Sequence, residues 1–97
     1  MNLVTLIGRL VNDPEIEEKE NNKVCYITLA INRRYKNVDG IYETDLIKCK
    51  LWNYPIVNKV PEYCEKGDLI GVRGMLQVVN NEIIVVAESA TFLSSKK

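Results

Sequence analysis

Val38-Asp39-Gly40 separates two long strand-like runs, residues 23–37 and 41–52, and Asn80-Asn81 separates two more, GMLQVV and EIIVVA. Asp-Gly between such runs is a strong hairpin signal because both residues tolerate positive φ, and Asn-Asn suits a tight turn for the same reason. Each pair of runs is therefore expected to fold back on itself. Residues 2–11, NLVTLIGRLV, read as a first strand closed off by Asp13-Pro14. Gly8 inside it has no side chain to pack, which marks a bend, a bulge or a close backbone approach. Residues 15–22, EIEEKENN, read as a polar, solvated connection.

Between the hairpins, Ile56, Val57, Val60, Tyr63 and Cys64 fall at helical spacing within residues 55–66, and Gly67 is placed to end that helix in a left-handed cap. Pro61 would delete one hydrogen bond and clash with the carbonyl of Val57, at about 3 kcal/mol inside a continuous helix. A break is expected there, with Pro61 opening a second short segment as its first residue. The order is three strands, a short helix, then two strands, without internal repeat or linker. That is the layout of an all-β, five-stranded OB-fold barrel with one short helix between strands 3 and 4, a fold that frequently binds oligonucleotides. It is expected to occupy residues 1–97 as a single domain, since 97 residues is one domain's worth of chain.

Composition narrows the function. The hydrophobic share is 46%, enough for a core. Thirteen basic residues balance thirteen acidic ones, so no net field draws a partner, and histidine is absent. The Ser-His and Cys-His couples and His-ligated metals go with it, so the chain is expected not to be an enzyme and to need no cofactor or metal. Cys25, Cys49 and Cys64 are too few and too scattered for a zinc site and read as reduced thiols packed as small hydrophobes. The acidic stretch over residues 13–20 matches no calcium loop. No apolar run reaches the ~20 residues of a membrane span and no signal peptide opens the chain, so a cytoplasmic location is expected.

The informative segment is LIKCKLW, residues 46–52. Strand alternation points Ile47, Cys49 and Leu51 one way and Leu46, Lys48, Lys50 and Trp52 the other. The second set joins cations for phosphates to an indole face for bases, with Tyr54 extending it. A lone Trp more often packs in a core, but burying Trp52 here would drag Lys48 and Lys50 inward. The partner run INRRYKN interleaves Arg33, Arg34 and Lys36 with Tyr35, and Tyr42 lies across the turn. Such alternation suits a single strand of nucleic acid; it equally suits a solvated hairpin with salt bridges to Glu43 and Asp45. Arg73, after the helix, completes the candidate contacts.

Taken in order, NLVTLIGRLVNDPE, ITLAINRRY, the DG turn, TDLIKCKLW, EYCEKGDLIGVRGML and VVAESATFL resemble the bacterial single-stranded DNA-binding protein family over nearly the whole chain. The resemblance implies an OB-fold that oligomerises, commonly as a homotetramer, and wraps single-stranded DNA without sequence preference. It implies stacking roles for Tyr35 and Trp52 and a basic contact at Lys48, with Arg9, Arg34 and Lys36 near strand-facing positions. Three positions depart from the pattern. Leu46 stands where the family stacks an aromatic. A long basic, aromatic loop is reduced to Asn80-Asn81, and Glu17 and Glu18 replace a basic-aromatic pair. The chain also ends in SSKK, without the acidic C-terminal tail by which the family recruits partners.

The leading expectation is a non-catalytic single-stranded DNA-binding protein of replication, recombination or repair. The alternative is a primosomal-type dimeric OB adaptor that binds such DNA weakly and bridges protein partners; an OB domain used only for protein contacts would follow from a buried Trp52. Val4, Leu6 and Leu10 on one face of the first strand, with Leu3 and Ile7 on the other, predict at least a homodimer, because a strand apolar on both faces is buried on both.

Overall fold

Seven elements follow one another in a computed structural model that describes residues 1–94: β1 (Val4–Leu10), β2 (Glu15–Lys19), β3 (Asn22–Lys36), β4 (Tyr42–Leu51), α1 (Ile56–Tyr63), β5 (Leu69–Val79) and β6 (Glu82–Phe92). The expectation about the chain's end falls largely on residues 95–97, outside the described residues. β1 pairs with β5, β5 with β6, β6 with β4 and β4 with β3, and β3 returns to β1 through Arg9↔Ala30 and Leu10↔Leu29. Five strands thus close into a barrel, antiparallel except for β4 beside β6. Closure leaves none of the five with an unpaired edge along its whole length. The expected OB-fold is the observed one, with α1 as its helix.

Alternation builds the core. Cys25, Ile27 and Leu29 on β3, Cys49 and Leu51 on β4, Ile70 and Val72 on β5, and Val85 and Ala87 on β6 point inward, while Val57 and Val60 of α1 pack against them. Fully burying side chains such as Leu29 and Leu51 is worth roughly 1.5–3 kcal/mol each. Two glycines let strands approach where the barrel closes and bends. A Cβ on Gly8 would stand 2.9 Å from the Ala30 carbonyl and 2.8 Å from Ile31 Cγ1, so the anticipated close approach is the β1–β3 seam. A Cβ on Gly74 would collide with the Val86 carbonyl, at the bulge between Arg73 and Gly74.

Both predicted hairpins form. Asn80 and Asn81 have φ of 52° and 67°, as a two-residue turn with both centres left-handed requires. At the other hairpin only Gly40 is left-handed, with φ of 77°. The Asn37 carboxamide oxygen accepts the N–H groups of Asp39 and Ile41 and so fixes a three-residue loop.

Three expectations are corrected. Residues 15–19 form a strand, β2, antiparallel to β3, and Glu20 and Asn21 at φ 50° and 70° make the turn. All five β2 residues are exposed, so no apolar alternation announced it. Pro61 lies inside one helix and does not break it. The lost bond is local, since the Cys64 N–H still donates to the Val60 carbonyl across it at 3.0 Å. Burial of Val57 and Val60, at roughly 1.5–3 kcal/mol each, offsets the proline's cost. The helix ends on extended Cys64, and Gly67, φ 93°, serves the next turn, which the Asp68 N–H closes on the Glu65 carbonyl.

Candidate nucleic-acid interface

The outer face of β3 and β4 is read from their register. Tyr26 lies opposite Lys50, Thr28 opposite Lys48, and Ala30 opposite Leu46. Because Ile27, Leu29, Cys49 and Leu51 occupy the inward phase, these six share the outward one. Lys48 Nζ sits 5.1 Å from the centroid of the Tyr26 ring, a cation–π contact that presents the ammonium and the ring together. Leu46 adds an exposed apolar platform. β4 ends at Leu51, and Trp52 follows in the outward phase, 53% exposed, bordering a cleft with Lys50 and Tyr54. The condition for a purely protein-binding domain, a buried Trp52, is not met.

The remaining candidates divide. Arg9 lies in the row Arg9–Ala30–Leu46 and donates from Nη1 to the Gly67 carbonyl at 3.1 Å, which holds it beside this face. Tyr35 is 77% exposed near the far end of the β3–β4 hairpin, where Lys36 Nζ lies 5.7 Å from the Tyr42 ring. Arg34 is exposed beside them. Arg33 is engaged: its guanidinium bonds Glu43 at 2.7 Å and Asp45 at 3.0 Å. The hydrogen bond from Arg33 and its charge hold the Asp45 carboxyl below the usual carboxylate range. Asp45 shares the phase of Ile47, so this cluster lies on the side away from Lys48. Arg73 stands apart between Thr5 and Ser89, on a strand that pairs with neither β3 nor β4.

Sequence reasoning missed Tyr26. Its signal was phase, since it alternates with Cys25 and Ile27 as Lys48 alternates with Cys49. It also missed what β2 brings: Glu15 lies opposite Tyr26, and Glu15 and Glu17 border the same recess as Lys48. An acidic strand therefore flanks the basic face.

The thiols behave as anticipated. Cys25, Cys49 and Cys64 are buried and unpaired. Burial pushes Cys49 up to about 12, and Cys25 and Cys64 up to about 11, so all stay protonated at neutral pH. Among the described residues no group of three or more His, Cys, Asp or Glu could hold a metal ion, and no helix is long and apolar enough to cross a membrane.

A family model, that of the single-strand binding protein family, matches residues 1–85. The chain belongs to this family. It is similar to single-stranded DNA-binding protein 3 of Listeria innocua, 41% identical over an alignment of 107 positions, gaps included, that takes in 100% of this chain and 66% of the relative. Single-stranded DNA-binding protein 1 of Clostridium acetobutylicum is 38% identical over 100% of this chain and 97% of its own length. Among solved structures, a Plasmodium falciparum SSB complex with ssDNA superimposes with a TM-score of 0.84 at 23% identity, covering 97% of this chain and 96% of that one, which shows a shared fold.

Proposed function

We propose that this family member is a non-catalytic protein that binds single-stranded DNA, chiefly by stacking and phosphate contacts, in replication, recombination or repair. The observation carrying this reading is the exposed Trp52 beside Lys48 and Lys50, on a face that Tyr26 completes. Stacking accepts any base and ammonium groups follow the backbone, so affinity needs no base-edge readout. The relatives' names point the same way. Arg9, Arg34, Tyr35, Lys36, Tyr42 and Tyr54 extend the path along the hairpin and past the strand end, while Arg33, held by two carboxylates, and Arg73, on the opposite side, are the outlying members of the set.

The chain works in this reading as one OB domain in a cytoplasmic, thiol-reducing setting, which three unpaired cysteines suit. Self-association belongs to it too, at least as a homodimer and on the family resemblance as a homotetramer. Leu3, just before β1, and Ile7 on it are exposed, and Ile7 borders a shallow groove with Gly71, Thr91 and Leu93 that a second copy would cover. Competition between a labelled oligothymidine and an unlabelled duplex of equal length, at several salt concentrations, tests the function. Single strands should win at every salt, with affinity falling as salt rises; equal affinity for duplex would overturn the reading.

A further inference from the structure

The β3–β4 ladder changes register between its pairs Asn32↔Thr44 and Lys36↔Tyr42. Three residues of β3, Arg33, Arg34 and Tyr35, therefore stand against Glu43 alone, a bulge with two residues to spare. Where those residues sit decides which side chains reach the face that carries Lys48, because a slip of one residue turns each neighbour to the opposite face. No ladder pair falls within the bulge, but side chains pin it. From the side away from Lys48, the Arg33 guanidinium donates through Nε to both Asp45 carboxylate oxygens at 3.2 Å and through Nη2 to Asp45 Oδ1 at 3.0 Å. Its Nη1 donates to Glu43 Oε1 at 2.7 Å. Glu43 Oε2 accepts from Asn37 Nδ2 at 3.1 Å, which ties the cluster to the carboxamide that fixes the turn.

We propose that Arg33 is a positioning residue: it does not touch the bound strand, and its ion cluster fixes the bulge so that Tyr35 and Lys36 meet the DNA. The inference rests on the single-stranded DNA reading above. On β4, Tyr42 and Thr44 continue the outward phase of Leu46 and Lys48. With the bulge so placed, Lys36 stands opposite Tyr42, its Nζ 5.7 Å from the ring centroid. Tyr35, inside the bulge, is left 77% exposed. Arg33 itself is poorly suited to a phosphate. It already gives its Nε–H and bonds from both terminal nitrogens to two carboxylates, so the cluster carries net negative charge and repels another anion. Ion pairs this exposed add little to the stability of the whole barrel, and local placement is the main effect left to them.

The sign of one result separates positioning from attraction. Removing both carboxylates, in Glu43→Ala with Asp45→Ala, frees Arg33 and makes the chain more positive. Electrostatics alone then predicts tighter binding of oligothymidine, whereas a lost anchor predicts weaker binding. Measurement at about 0.15 M salt, where the screening length is about 8 Å, keeps distant charge effects small. If the anchored bulge falls to between about a tenth and a third of the population, affinity should drop by roughly threefold to tenfold. Arg33→Met, which keeps the stem and loses the donors, should weaken binding to a similar degree. Both losses should vanish in a background of Tyr35→Ala with Lys36→Ala, where no contact remains to be positioned. Binding by the carboxylate-free variant as tight as the wild type's, or tighter, would overturn the proposal, as would an Arg33→Met loss that persists in that background. A wild-type chain that fails to bind oligothymidine defeats the single-stranded DNA reading itself, and this inference with it.

Discussion

Trp52 carries the largest energetic expectation of any single side chain. Half exposed and beyond the last core residue of β4, it contributes little to the interior. Trp52→Ala should therefore cost about 1–3 kcal/mol in oligothymidine binding, the usual worth of a stacked base. Its urea midpoint should move far less than the roughly 3–5 kcal/mol loss of a buried aromatic implies. Lys48→Ala and Lys50→Ala should each make the slope of log affinity against log salt shallower by about 0.7. Strand phase made these residues legible, because Cys49 and Leu51 had to face inward. Phase also held the answer for Tyr26, hidden only because its neighbours Thr28 and Ala30 carry no charge to draw notice. Arg33 could not be assigned from sequence, since alternation places it near Glu43 and Asp45 without saying whether they pair. The cysteines give a residue-scale test in pH. Their folded values lie above the 9.0 of a free thiol, so their contribution to stability is whole below pH 9. It declines as pH rises from 9 towards about 11–12, where the unfolded chain ionises first. At pH 8 a thiol-reactive disulfide should label the native protein slowly and the urea-unfolded protein rapidly, and fast native labelling would contradict their burial.

β2 is the element that sequence periodicity could not supply. Exposed on both faces, EIEEK has no apolar stripe, and its pairing with β3 depends on Glu20 and Asn21 adopting left-handed conformations at the turn. Pro61 and Gly67 mislead for a related reason. Local rules assign a break and a cap, whereas buried Val57 and Val60 keep the helix whole and the glycine is used one turn later. The two hairpins, by contrast, carry their own instructions in Asn37, Gly40, Asn80 and Asn81. β2 has a functional consequence, since Glu15 and Glu17 border the recess that holds Tyr26 and Lys48. Phosphates passing this edge meet carboxylates. Glu15→Lys with Glu17→Lys should raise oligothymidine affinity several-fold at low salt and steepen the salt slope by up to about 0.7 for each new contact. An unchanged slope would place the strand's path away from β2.

At the scale of the whole molecule, closure of the barrel accounts for the inward faces and leaves an outward apolar one. β1 pairs with both β3 and β5 and still exposes Ile7, with Leu3 exposed just before it. Light scattering at micromolar concentration should therefore give at least twice the chain's 11.1 kDa, and a pure monomer would refute the predicted assembly. Ile7→Lys should shift the mass towards the monomer, because it sets a charge on the face to be covered. The barrel topology followed from strand order, whereas the number of copies depends on surfaces that one chain's periodicity describes only in part. Trp52 is the one indole in the sequence, so its emission reports on the proposed binding face without a label. Titration with oligothymidine should quench it saturably, and added salt should restore it as phosphate contacts are lost. Emission that stays constant while an independent assay shows the oligomer bound would mean that DNA lies elsewhere on the barrel, contradicting the account.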